Sequence, residues 1–198
     1  MNERIASGAT TTSKGERTRL AIVQCAKQLF YEHGYERTSF SDIVEASGLY
    51  RGNISHYFKT KDDILRAVID QHLADFRALL AQWEADHADP KARLQAFVGM
   101  ITGRKTDLVQ YGCPIGTLNT ELAKDRPELH AASRALFDLF RDWLAVRFKE
   151  LNRGDEAKSL ALHVLGRAQG IAVLAHVYHD ANLLRRETDQ LKAWIAQL

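Results

Sequence analysis

Residues 39–61 read Ser39-Phe40-Ser41-Asp42-Ile43-Val44-Glu45-Ala46-Ser47-Gly48-Leu49-Tyr50-Arg51-Gly52-Asn53-Ile54-Ser55-His56-Tyr57-Phe58-Lys59-Thr60-Lys61, and their order decides the fold. Ser39 suits a helix N-cap, and Asp42 three residues on completes a capping box. Ile43, Val44 and Ala46 supply a small buried face, and Gly48 takes a turn position where the lack of a Cβ removes the steric cost. Leu49 packs into the angle of the turn. A second helix follows from about Arg51 to Phe58. Two short helices at a tight turn make a helix-turn-helix, whose second helix enters the DNA major groove.

Base edges are read by side chains with matching donors and acceptors, while cations and hydroxyls on phosphates fix the register. Arg51, Asn53 and His56 have the chemistry for bases, Arg51 toward guanine and Asn53 toward adenine. Gly52 keeps that face low enough for close approach. Ser39, Ser41, Tyr57, Lys59 and Lys61 suit phosphates, and Ile54 and Phe58 belong to the core.

The run Ser39-Phe40-Ser41-Asp42-Ile43, then Gly48-Leu49 and His56-Tyr57-Phe58-Lys59-Thr60-Lys61, resembles the DNA-binding signature of TetR-family (tetracycline-repressor-like) regulators. The likeness extends upstream to Phe30-Tyr31-Glu32-His33-Gly34-Tyr35. It implies an all-α protein with an N-terminal three-helix DNA-binding domain and a C-terminal helical domain for effector binding and dimerisation. It also implies that Tyr57 and Lys61 hold the DNA backbone. Tyr50 stands where the family more often has a Ser or Thr cap, and Ser55 where it commonly has an aromatic.

Composition agrees with this division. Through Lys61 nine Lys/Arg face six Asp/Glu, a balance of +3, whereas the remainder carries 18 against 19 and is nearly neutral. A basic head on a neutral body suits a nucleic-acid partner. The two cysteines, Cys25 and Cys113, and the lack of a signal peptide point to a reducing cytoplasm. No uninterrupted apolar run approaches the ~18 residues of a membrane span, so no membrane partner is expected.

Residues 1–12 are polar and aperiodic and are expected to be a disordered tail, with the DNA-binding domain over 13–61 and the effector and dimerisation domain over 62–198. Ser13 and Glu16 cap a helix to about His33, with Ile22, Ala26, Leu29, Phe30 and His33 on one face. Thr60 and Asp63 cap a long helix to about Ala85, the natural mechanical link to the second domain. Asp89-Pro90 opens a helix to Gly103, and Gly112-Cys113-Pro114 marks a break with Cys113 as the next N-cap. Asp125 and Glu128 form a capping box for a helix ending near Gly154. Two terminal helices follow, over about 155–179 and from 183 to the end.

Phe97, Met100, Ile101, Tyr111, Cys113, Phe137, Phe140 and Trp143 suggest a pocket for an apolar or aromatic effector, though the same residues would also make an ordinary core. A thiol at a helix N-terminus favours its thiolate, so Cys113 is either a reactive sensor or a packing residue at a bend. Val164, Ala168, Ile171 and Ala175, with Leu184, Leu191, Trp194 and Ile195, form a seam that either covers the chain's own core or builds a four-helix bundle with a symmetry mate. The family resemblance, which implies a homodimer, favours the second. His176 and His179 are three apart beside Asp180, but no further ligand cluster accompanies them, and neither a metal nor another cofactor is expected. No catalytic motif supports an enzyme. The expected function is therefore a ligand-responsive regulator, most naturally a repressor, on a double-stranded operator. The rival is a helical adaptor whose helix-turn-helix does not bind DNA.

Overall fold

The computed structural model describes residues 13–198, and the expected tail over 1–12 lies outside them. The described residues form ten α-helices and no strand: α1 (Lys14–His33), α2 (Phe40–Ser47), α3 (Arg51–Tyr57), α4 (Lys61–Asp86), α5 (Pro90–Gly103), α6 (Lys105–Tyr111), α7 (Pro114–Asp125), α8 (Pro127–Glu150), α9 (Ala157–Tyr178) and α10 (Ala181–Ala196).

Capping chemistry sets the head. Of the four expected capping boxes, the three of the head form, at Ser13/Glu16, Ser39/Asp42 and Thr60/Asp63. Gly34 (φ 86°) ends α1, and Gly48 takes the left-handed conformation (φ 65°) that turns α2 toward α3. Ile22, Val23, Ala26, Phe30, Tyr35, Ile43, Ile54 and Phe58 are buried. His33 and Ala46, expected to face inward, are exposed, because both border an open groove between α1 and α2 that no other element fills.

α4 packs first on α1 and then on α8, at ~39 Å long for 26 residues. The body is a layered bundle in which α8 and α9 pack together, α10 lies against α5 and α9, and α7 lies against α8. α6 was not anticipated. Its seven residues bury only Leu108, too little for a helical period to register. The start of α8 also differs. Arg126 is its N-cap and makes no side-chain cap, while Glu128 pairs with Arg66 of α4 at 3.2 Å.

The expected dimer seam needs correction. Val164, Ala168, Ile171 and Ala175 of α9 and Leu184, Leu191 and Ile195 of α10 are buried within one chain, out of reach of a partner. Trp194 is half-buried against His163, with ring centroids 4.9 Å apart. α9 is apolar on two sides, and the other side is the uncovered one. Leu162, Gly166, Gly170, Val173, Leu174 and Val177 lie exposed along it at helical spacing. For the same reason α9 is long and apolar enough to cross a membrane by length and composition. Counting uninterrupted runs missed this because Lys158, Arg167 and Gln169 break the run.

Candidate nucleic-acid interface and ligand cavity

α3 presents Arg51, Gly52, Asn53 and His56 to solvent, and beyond the helix's own backbone no described residue stands within 4 Å of where a Cβ of Gly52 would be. Arg51 lies over the Phe40 ring, 5.2 Å from its centroid, and donates to Ser41 Oγ at 3.3 Å, so its guanidinium is oriented before any ligand arrives. Ser39 Oγ accepts the Asp42 amide, which leaves the hydroxyl proton free to donate outward. Tyr57 is half-buried and edge-on to His56, with its hydroxyl near Gly15 at the start of α1. Lys59 reaches back to the Ser55 carbonyl at 2.7 Å. Lys61 does not project as a free cation. It donates to the Tyr35 carbonyl at 2.8 Å and sits 4.1 Å from that ring's centroid. Sequence reasoning missed Tyr50, which is 83% exposed at the N-cap of α3 and makes no cap hydrogen bond. Its signal was its mismatch with capping chemistry.

A cavity of about 60 Å³ lies where α4, α5, α6, α7, α8 and α9 meet. Phe97, Met100, Ile101, Cys113 and Phe140 line it as expected, joined by Phe76, Leu108, Ile115, Ala168, Gln169 and Arg104. The other three expected residues lie elsewhere. Tyr111 packs edge-on against Tyr31. Trp143 donates to Glu84 at 2.7 Å beside Arg147, which is buried and bonded to the same carboxylate. Phe137 belongs to an open groove of about 630 Å³ between α7 and α9. Cys113 and Gln169 line both the cavity and the groove, so they form the partition between them.

α7 ties this cavity to the head. The Glu121 carboxylate accepts the backbone N–H groups of Tyr35 (2.9 Å) and Glu36 (2.8 Å) in the α1–α2 corner. Gly34 lets it approach, since a Cβ there would lie 3.2 Å from Glu121 Oε1. Arg126 bridges to Glu36 and Asp62. The Tyr31 hydroxyl donates at 2.8 Å to the Gly112 carbonyl, next to the cavity wall, and burial raises its pKa. The Tyr35 hydroxyl bonds Asp62, and burial followed by that bond raises its pKa as well. On α4, His72 stacks on Phe76 and is pushed down to about 4, by burial first and then by the charge of Lys27. Burial also raises the Cys25 thiol. His176 Nδ1 lies 3.0 Å from the Val109 carbonyl, and no group of three metal-ligating side chains occurs among the described residues.

Comparison with known proteins agrees with this geometry. Residues 22–68 match the family model of bacterial regulatory proteins of the tetR family, and residues 90–190 match that of the LmrA/YxaF-like transcriptional regulator C-terminal domain. The chain is 28% identical over 179 residues to an uncharacterised HTH-type regulator in the lacX 3′ region of Lactococcus lactis subsp. lactis, covering 88% of this chain and 91% of that one. It is 25% identical over 187 residues to the HTH-type regulator YxaF of Bacillus subtilis, covering 91% and 95%. A crystal structure of a TetR transcriptional regulator from Chloroflexus aurantiacus superposes with a TM-score of 0.81 at 29% identity, over 93% of this chain and 96% of that one.

Proposed function

Because the chain belongs to the TetR family of bacterial regulatory proteins, it is a helix-turn-helix DNA-binding transcriptional regulator and not an enzyme, and we propose that it acts as a homodimeric repressor that a small molecule in the cavity releases from a palindromic operator. The observation that carries this reading is that the helices walling the cavity also hold the head. α4 contributes Phe76 to the cavity and packs on α1, where Lys27 bonds Asp75, the residue before Phe76, at 2.7 Å. α7 contributes Ile115 to the cavity, with Cys113 at its N-cap, and grips the α1–α2 corner through Glu121. A molecule that wedges the cavity open displaces both helices and changes the spacing of the two heads. DNA and effector then oppose each other's binding by equal factors. The phenylalanines of the wall favour an apolar or aromatic body for that molecule. The uncovered face of α9, with Gly166 and Gly170 at its centre, suits close packing against a second copy.

The test is selection of duplexes from a random pool at fixed salt, followed by gel shift. The expected product is a palindrome with two half-sites. Arg51→Ala or Asn53→Ala should relax preference at particular base pairs, and Lys59→Ala should weaken all duplexes alike and lower the salt slope by about one unit. Binding without a selected sequence, or no binding, would contradict the operator reading and favour an adaptor.

A further inference from the structure

Arg104 stands at the bend between α5 and α6 and, among the described residues, is the one charged side chain that lines the cavity, with no Asp or Glu beside it there. The arginines around the body's other seams are engaged by carboxylates: Arg126 with Glu36 and Asp62, Arg147 with Glu84, Arg93 with Glu150. Arg104 is exposed, its hydrogen bonds are backbone ones at the bend, and its guanidinium has no hydrogen bond or ion pair among the described residues; Asp107 one turn along does not pair with it. Asp75, a carboxylate near this end of α4, is already bonded by Lys27 and Gln71 at 2.7 Å each. No carboxylate among the described residues therefore pairs with the cation at the cavity.

We infer that the cavity's ligand is an organic anion with an apolar or aromatic body, whose charged group pairs with Arg104. This rests on the effector reading of the cavity and adds the ligand's chemical class. A cationic ligand meets a like charge and finds no carboxylate on the walls. A neutral one gains only from the apolar walls. A carboxylate or phenolate gains charge-assisted hydrogen bonds from a guanidinium whose planar fork matches its oxygens. Gln169 is the other unpartnered polar side chain of the wall. Its Oε1 presses on α7, where a Cβ at Gly116 would come within 2.6 Å.

Size limits the ligand's entry. About 60 Å³ is roughly two waters' share of liquid volume at ~30 Å³ each, whereas a dry cavity that takes benzene measures about 150 Å³. One aromatic ring thus requires the cavity to more than double. Met100 and Gln169 are unbranched and can change rotamer to make that room. Displacing Gln169 also removes half of the partition from the groove between α7 and α9, which supplies the way in.

The experiment uses the full chain and matched pairs of acids and amides: benzoate and benzamide, 2-naphthoate and 2-naphthamide, decanoate and decanamide. Binding is followed by calorimetry. In at least one pair the acid should bind about tenfold or more tightly than its amide, the usual worth of a charge-assisted hydrogen bond. Arg104→Gln should bring that acid to the level of the amide without moving the amide, and Arg104→Lys should keep part of the preference. An unchanged thermal melt shows that the variants fold. Amides that bind as well as their acids, or a preference that survives Arg104→Gln, overturn the anion assignment and leave the cavity as an effector site. If no member of any pair binds, both the assignment and the effector reading fall.

Discussion

The second domain meets its surroundings through two surfaces of opposite character. Toward the head, α7 and the start of α8 offer carboxylates and a guanidinium to backbone N–H groups and charged side chains, half in water. On the far side, α9 offers Leu162, Val173, Leu174 and Val177 with hardly a charge among them. A charge-assisted hydrogen bond is worth about 1.5–3 kcal/mol at best, less where water competes, and its geometry matters. A standard interface of ~1,600 Å², about 60% of it apolar, at about 25 cal/mol per apolar Å² yields on the order of 20–25 kcal/mol before the costs of association. The first kind of surface can be exchanged for water by a small shift of one helix. The second holds as long as its area stays covered. The polar seam is thus suited to switching and the apolar face to permanent assembly.

The largest effect is expected on the apolar face. Val173→Glu should convert a dimer to a monomer in sedimentation and reduce operator affinity by roughly two orders of magnitude or more, since linked half-sites reinforce each other by ~10²–10⁴. Its helix content should stay unchanged. Ile171→Glu, two residues away but buried in the chain's own core, should instead cost the fold itself. A monomer that binds the operator at full strength in either background would break the contrast.

Acid should act on neither surface first but on α4 between them. His72 has a folded pKa of about 4 against an ordinary 6.5, with Lys27 and Arg104 disfavouring its charge and Asp75 favouring it. Between those values the unfolded chain takes up a proton that the folded chain refuses. Stability therefore falls as pH drops from about 6.5 to 4, by roughly 2–3 kcal/mol in total. Denaturant titrations of wild type and His72→Phe across this range should show the variant losing less. Parallel curves would remove His72 from the account.

The head was legible because its signals are local. Capping boxes and Gly48 lie within a few residues of what they determine, and the side chains of α3 that face solvent are those the groove chemistry selects. The body was legible as helices but not as surfaces. Both sides of α9 carry apolar residues, and only the placement of α8 and α10 decides which one is covered. Glu121 had no signature at all, because its partners stand 86 and 85 residues away and are backbone groups. Arg104 follows the same logic. That no carboxylate among the described residues pairs with its guanidinium follows from where the fold places them. Trp143 was placed in the cavity on its aromatic character, yet Glu84 draws its indole N–H to the α4–α8 contact.

α7 serves both the cavity and the head, and the coupling through it can be tested without knowing the effector. Ala168→Val adds bulk inside the cavity, as a bound ligand would, and hydrogen exchange at the Tyr35 and Glu36 amides reports the Glu121 grip directly. Ala168→Val should lower protection at those two amides and weaken operator binding by about threefold to tenfold, in step with losing one such contact. In a Glu121→Gln background the same substitution should add little to either. Protection that stays at the wild-type level while operator affinity falls, or full affinity with protection lost, would contradict it.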